Sequence, residues 1–301
     1  MRQATAFAPG HLTGFFQIWD HPEDILHKGS RGCGASVTQG VETTVNVTPA
    51  DEDTHSIMIN NELTCSAIVS EYVFSKVLAY ADQPYEVQIQ HDVGTPFGAG
   101  FGSSGGGAIS LAVALNDAMG LGLNFTEAAQ IAHVVEIECK TGLGTVFAAM
   151  DGGFGVLVKA GGPGFGEAMF YDKTDDLALV YLHFGPMETK KALSDPLIRG
   201  RINKLGGKYV DAIMKDLRPD KFMDLARKFT DYVNIKTQRL SEVFEKADAQ
   251  SIPCTMAMFG EVAFSLVYKE EAINIASFFR EVTPGFRVET VGIDDKGTRL
   301  L

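Results

Sequence analysis

Seven glycines fall within the fourteen residues 94–107, GTPFGAGFGSSGGG, and this run constrains the chain more than any other feature. Glycine loses more freedom on folding than any other residue. Such a density is useful where the backbone must take positive φ or lie against another group. A segment of alternating character, YEVQIQHD (85–92), precedes the run, and an apolar helical stretch, AISLAVALNDAMG (108–120), follows it. A glycine loop that opens onto a helix N-terminus presents unpaired N–H groups and the positive end of the helix dipole, which suits an anion. Ser103 and Ser104 add hydroxyls that can reach a phosphate oxygen or a metal.

Spacing excludes two other phosphate loops. A Walker loop requires a lysine after its glycines, and none follows here. A GxGxxG match exists at Gly100, Gly102 and Gly105, but the acidic partner expected roughly 20 residues on would be Glu127. That residue falls in the first turn of a predicted helix, so the parallel βαβ unit is missing.

The 301 residues allow two modest domains, and 45% hydrophobic content allows a sizeable core. A formal net charge of −12 argues against a general nucleic-acid binder. An anionic nucleotide can still be held locally, through amides, Mg²⁺ and a few cations. No apolar run reaches membrane-spanning length, and MRQATAFAPGH lacks a signal peptide's apolar stretch, so a cytoplasmic protein without membrane association is expected. The four cysteines lie far apart with no CxxC pair, which predicts free thiols and no zinc site.

Along the chain, residues 2–8 read as a strand broken by Pro9-Gly10, with a loop to about Gly34. Strands are expected at 35–47, with 55–61 as its neighbour, and at 85–92 and 154–159. Helices are expected at 65–81, at 108–120 and from a cap near Thr126 to about Lys140, ended by TGLG (141–144). The turn-rich segment 160–166 places a boundary between an N-terminal domain, 1–165, and a C-terminal one, 166–301. The second domain reads as a buried strand at 177–185, helices at 187–216, 219–233 and 237–247, strands near 254–260, 262–269 and 286–291, and a helix at 270–280. Strand runs mixed with helix runs make the class α+β.

The pattern P-x-x-x-G-[LF]-G-S-S-[AG], met here from Pro96 to Gly105, resembles the nucleotide loop of the GHMP kinases. Two further blocks resemble that superfamily: APGHLTGFF (8–16) after the first strand, and CTMAMFGEVAFSL (254–266) before a hairpin. The resemblance implies a two-domain fold, with an N-terminal half like ribosomal protein S5 domain 2 and a ferredoxin-like C-terminal half. It also implies ATP and Mg²⁺. Pro96, Gly98, Gly100, Gly102, Ser103, Ser104 and Gly105 would form the nucleotide site around the phosphates, and Ser104 would also help hold the metal. Family members use a glutamate of the helix after the loop for Mg²⁺. Glu136 is favoured over Glu138, which points about 200° away on the helix.

Within the superfamily, PGHLTGFF followed by a D-H-P segment and GSRGCG (29–34) resembles the archaeal pantoate kinases, which act in the route to coenzyme A. That resemblance implies a small-molecule acceptor, pantoate, and commonly a homodimer. His11, Asp20 and His21 would read or orient its hydroxyls, His11 counting also among the catalytic residues, and Arg31 would pair with its carboxylate. One position departs from the family pattern. Counting back eight residues from Gly153, where the family places a catalytic aspartate, reaches Thr145. A threonine hydroxyl is far too weak an acid–base group to serve as a general base at neutral pH. Three readings stay open: transfer without a base there, since positioning and charge stabilisation dominate phosphoryl transfer; a substitute such as Asp151, His133 or Lys140; or a chain that binds ligands without turnover. Other GHMP kinases, acting on homoserine, shikimate or mevalonate, are the remaining alternative class.

Overall fold

The computed structural model describes residues 1–187 and 194–301. Two long strands organise it: β1 (Arg2–Trp19) and β2 (Gly29–Pro49) pair antiparallel along nearly their whole lengths. The sequence reading ended the first strand at residue 8 and placed a loop up to Gly34. Instead β1 runs through Pro9-Gly10 as a register shift, with a second shift between Thr13 and Phe15. A bulge tolerates a proline that has no N–H for the ladder.

The first sheet has the order β12-β1-β2-β5-β3-β4, with β3 at Thr54–Ile59, β4 at Glu62–Thr64, β5 at Tyr85–Val93 and β12 at Arg299–Leu300. β2 is long enough to serve two partners on one edge. β5 pairs with its residues 41–49, and β6 (Phe154–Lys159) pairs with residues 32–35. β7 (Glu167–Phe170) extends β6. The expected pairing of 55–61 with 35–47 is corrected: β5 lies between them, and β3 runs parallel to it. The crossover passes through α1 (Ile68–Leu78).

α1, α2 (Ser103–Met119) and α3 (Phe125–Cys139) share one core with Val45, Val47, Val87 and Ile89 of the sheet. The N-cap of α3 is Asn124 rather than Thr126. Its side chain accepts from the Glu127 amide at 3.0 Å while Glu127 accepts from the Asn124 amide at 2.8 Å. Such reciprocal capping contributes about 1 kcal/mol. A short helix, α4 (Thr145–Asp151), follows the TGLG turn, where none was expected.

The second sheet has the order β11-β8-β10-β9, with β8 at Leu177–Gly185, β9 at Thr255–Met256, β10 at Glu261–Tyr268 and β11 at Arg287–Gly292. It shares a core with α5 (Pro196–Ile213), α6 (Pro219–Val233), α7 (Gln238–Ala249) and α8 (Lys269–Val282). The helix expected over 187–216 is met by α5; its residues 188–193 lie outside the described residues. The 160–166 turn joins β6 to β7 within the first sheet, and the chain crosses to the second sheet between Phe170 and Leu177. Among the described residues no helix is long and apolar enough to cross a membrane, and no disulfide joins the cysteines.

β1 belongs to both cores. Ala4, Ala6 and Ala8 pack under α2, while Leu12, Phe15, Phe16 and Ile18 enter the second core. There Phe15 meets Phe222 and Phe229 of α6, with ring centroids at 6.0 and 6.3 Å. α5 crosses β1 so closely that a Cβ on Gly206 would stand 1.8 Å from the carbonyl oxygen of Phe16. Backbone cannot yield that distance. Gly206→Ala is therefore expected to lower stability by about 2 kcal/mol through overpacking. Gly200→Ala, on the same helix with no atom within 4 Å of its added methyl, should raise stability by roughly 0.5–1 kcal/mol. Urea unfolding of both variants checks the pair.

Candidate active site

The glycine run links β5 to α2 and turns three times at positive φ, at Gly98, Gly100 and Gly102. Gly102 is the N-cap of α2 in the left-handed region, and a Cβ there would stand 2.2 Å from Cγ2 of Thr145. Only glycine meets both demands. Pro96 is buried where the loop begins, and the Ser103 hydroxyl bonds that of Thr95 at 2.9 Å. The first turn of α2 presents Ser104 and Gly105.

Several contacts hold the loop in place. The His11 amide donates to the Phe101 carbonyl at 2.8 Å, so the bulge of β1 is fastened to the loop itself. The Met187 amide donates to the Gly98 carbonyl at 2.8 Å. Gly260, before β10, lies against the Ala99 main chain. Beneath the loop runs a buried polar chain. Ser70 bonds His91 Nε2 at 3.0 Å, His91 Nδ1 bonds Thr43 at 2.8 Å, Thr43 bonds Ser110 at 2.6 Å, and Ser110 donates to the Gly106 carbonyl at 2.8 Å. Burial pushes the His91 pKa down to about 4, so the ring is neutral at pH 7.

Glu136 of α3 is 2% exposed and points at this first turn. Its Oε1 accepts from Ser104 at 2.5 Å and from Thr141 at 2.6 Å. Thr141 was read from sequence only as part of a helix stop. Lys140, at φ 58°, ends α3 in the left-handed region, and the Thr141 amide returns to the Glu136 carbonyl at 3.1 Å. This reversal brings the Thr141 hydroxyl back to the carboxylate. Burial raises the Glu136 pKa, while the Ser104 and Thr141 hydroxyls pull it down by a smaller amount. Glu138 faces outward and pairs with Lys76 at 3.0 Å.

One hydroxyl and one carboxylate, both hard oxygen donors, fit Mg²⁺, which takes few protein ligands and leaves its other positions to phosphate oxygens and water. Among the described residues no cluster of three or more His, Cys, Asp or Glu offers a cage built from protein alone.

Two cavities meet at the loop. An inner cleft is lined by His11, Thr13 and Phe16 of β1, by Ser30 and residues 32–34 of β2, by residues 141–145 and by Val156, Leu157, Met258 and Phe259. An outer groove lies between residues 97–104 and the start of α1, and Ser70, His91 and Phe97 line it. The two share Gly100, Gly102 and Thr141. No Asp, Glu, Lys or Arg side chain lines the inner cleft among the described residues.

The structure brings His11 and Thr145 together on this cleft. It places three other expected residues elsewhere. Arg31 donates to the Val158 carbonyl at 2.8 Å and pairs with Asp211 of α5 at 2.5 Å. Asp20 pairs with Arg199 at 2.7 Å, and His21 meets Trp19 edge-on with ring centroids 4.2 Å apart. None of the three lines the cleft. The suggested substitutes for a base are also outside its lining: His133 bonds the Lys28 carbonyl at 3.0 Å, Lys140 caps α3, and Asp151 ends α4.

Fold, loop and the Ser104–Glu136 pair define a kinase of the GHMP type, and the family model "GHMP kinases N terminal domain" matches residues 67–153. A pantoate kinase of Thermococcus kodakarensis is 32% identical over 89% of this chain and 88% of its own length. One from Methanocaldococcus jannaschii is 31% identical over 91% and 96%. The chain belongs to the pantoate kinase family. A solved phosphotransferase related to the CoA biosynthesis pathway superposes with a TM-score of 0.86 at 29% identity, covering 99% of this chain and 98% of that one. A homoserine kinase from Cytophaga hutchinsonii, at 16% identity, shares the fold with a TM-score of 0.72 over 100% and 98%.

Glu136→Gln removes a charge whose burial opposes folding. Its thermal midpoint without ligand is expected to rise by about 2 °C. A raised carboxyl pKa costs stability above that pKa, and the cost vanishes as the proton binds. The gap between variant and parent should therefore be widest at pH 8 and narrow towards pH 5. Thermal melts of both proteins across that range check the sign.

Proposed function

We propose that the protein transfers the γ-phosphoryl group of ATP to the primary hydroxyl of pantoate, giving 4-phosphopantoate for coenzyme A synthesis. The observation that carries this reading is the junction at Gly100, Gly102 and Thr141, where a groove beside the phosphate loop meets a second, inner cleft. The outer groove takes the nucleoside, the loop amides and the α2 dipole take the phosphates, and the inner cleft takes the alcohol. Ser104 and Glu136 would hold Mg²⁺, which supplies charge neutralisation on the phosphate oxygens when bound. The names of the relatives support pantoate as the acceptor. So does the cleft, whose wall of Leu143, Val156, Leu157 and Phe259 suits the branched apolar middle of that molecule, and whose hydroxyls at Ser30, Thr141 and Thr145 suit its polar ends.

The roles of the site residues follow. Gly98 to Gly105 exclude side chains from the phosphate path. Glu136, already bonded by the Ser104 and Thr141 hydroxyls, would offer its carboxylate to the metal. Arg31 is given no part in binding the acceptor, because Asp211 and the Val158 carbonyl occupy its guanidinium. Thr145 favours a second reading, a protein that binds nucleotide and acceptor without turnover.

A coupled assay with pantoate, ATP and Mg²⁺ should show ADP release, with a phosphomonoester on pantoate by ³¹P NMR. Turnover only on homoserine, shikimate or mevalonate would overturn the acceptor. Calorimetric binding of both ligands with no product would establish the second reading. In the active protein, Glu136→Gln should weaken the Mg²⁺-dependent binding of ATP by on the order of tenfold while leaving metal-free binding nearly unchanged.

A further inference from the structure

The reading of the inner cleft as the alcohol site raises a question of proton transfer, and the inference below rests on that reading. A hydroxyl that attacks phosphorus must lose its proton, and the aspartate position of the family pattern holds Thr145. Glu136 is engaged by Ser104 and Thr141 outside the cleft lining, and no carboxylate lines the cleft among the described residues. Two lining side chains titrate, Cys33 and His11. Burial raises the Cys33 pKa well above its ordinary value and keeps that thiol protonated.

His11 is placed and polarised differently. Its amide is tied to the Phe101 carbonyl, so the residue sits where the cleft meets the phosphate loop. Its Nδ1 lies 3.0 Å from the Ser36 hydroxyl, which in turn lies 3.3 Å from the Ala148 carbonyl oxygen. A carbonyl only accepts, so the serine proton goes to Ala148 and the serine oxygen accepts from Nδ1–H. The opposite tautomer would set the serine lone pairs against the carbonyl and forfeit one of the two bonds. Nε2 is left with its lone pair beside Gly34, where an added Cβ would stand 2.5 Å from it. Gly34 is part of the cleft lining.

We propose that His11 is the catalytic residue that accepts the proton of the acceptor hydroxyl, through Nε2, with Ser36 fixing the tautomer. As the hydroxyl oxygen bonds to the γ-phosphorus, the bond from that phosphorus to the β,γ-bridging oxygen breaks, and its electron pair leaves on ADP. The hydroxyl proton passes to Nε2. The resulting imidazolium keeps its Nδ1–H bond to Ser36 and returns the proton to solvent after product leaves. Burial pushes the His11 pKa down to about 4, which keeps the ring neutral and able to accept at physiological pH. A base this weak suits a loose transition state, in which the proton moves late.

His11→Asn separates a base from an anchor, because the amide can replace the Nδ1–H bond to Ser36 but presents nothing at the Nε2 position. Both His11→Ala and His11→Asn should lower kcat by about 100-fold or more, with nucleotide affinity by calorimetry unchanged. Turnover of the Asn variant near the parent rate would overturn the proposal and leave His11 an anchor. In ¹⁵N-labelled parent protein, His11 should show a protonated Nδ1 and an unprotonated Nε2 whose resonance moves when pantoate joins a nonhydrolysable ATP analogue. An Nε2–H tautomer would overturn the proposal whether or not turnover is found. If another alcohol is the acceptor, the substrate reading fails, and the same variants test His11 on that alcohol.

Discussion

The antiparallel pairing of β1 with β2 is the constraint on which the rest depends. One strand contributes apolar residues to two cores, and the change of core, between Ala8 and Leu12, spans its irregularity between Pro9 and Gly10. β12 pairs with β1 at Ala6 and Phe7, and further along the strand the His11 amide donates to the phosphate loop instead, with the cleft beside Thr13. The same strand pair that joins the two cores thus also carries one wall of the site.

The loop is over-determined in the same way. Polar bonds reach it from β1, from residue 187 after β8, and from the buried Ser70–His91–Thr43–Ser110 chain below. Each fixes main chain rather than side chain, which leaves the amides of 98–105 oriented before any ligand arrives. Such preorganisation lowers the reorganisation needed at the moment of charge transfer. The Glu136 carboxylate is the costly element of the arrangement. It is buried and ionisable, and its two hydroxyl partners offset only part of the desolvation.

Much of this was legible in the sequence because it is local. Glycine density, two serines and an apolar helix identify the loop without reference to anything distant, and helical periodicity places Glu136 but not Glu138 towards it. What was missed is non-local. Pro9-Gly10 carries the chemistry of a turn, and only pairing with β2 keeps it extended. With residues 29–34 read as a loop, no strand alternation was available to show that Arg31 faces α5 while Ser30 and Gly32 face the cleft. Thr141 looked like the end of a helix because its role depends on a left-handed Lys140, which sequence does not announce. The neighbour of β3 was misassigned because adjacency in sequence favours a hairpin, whereas the α1 crossover inserts β5.

β12 pairs with β1 at Ala6 and Phe7, and the Leu301 amide donates to the Thr5 carbonyl at 2.9 Å. Residues 6–7 and 299–300 thus pair in one sheet, and the far half of β1 packs against groups synthesised much later, α5, α6 and Phe259 among them. A ribosome-bound chain that has emerged only as far as β7 has its nucleotide loop but not the cover for Leu12, Phe15 and Phe16. The far half of the first strand is therefore among the last parts of the protein to be shielded from water.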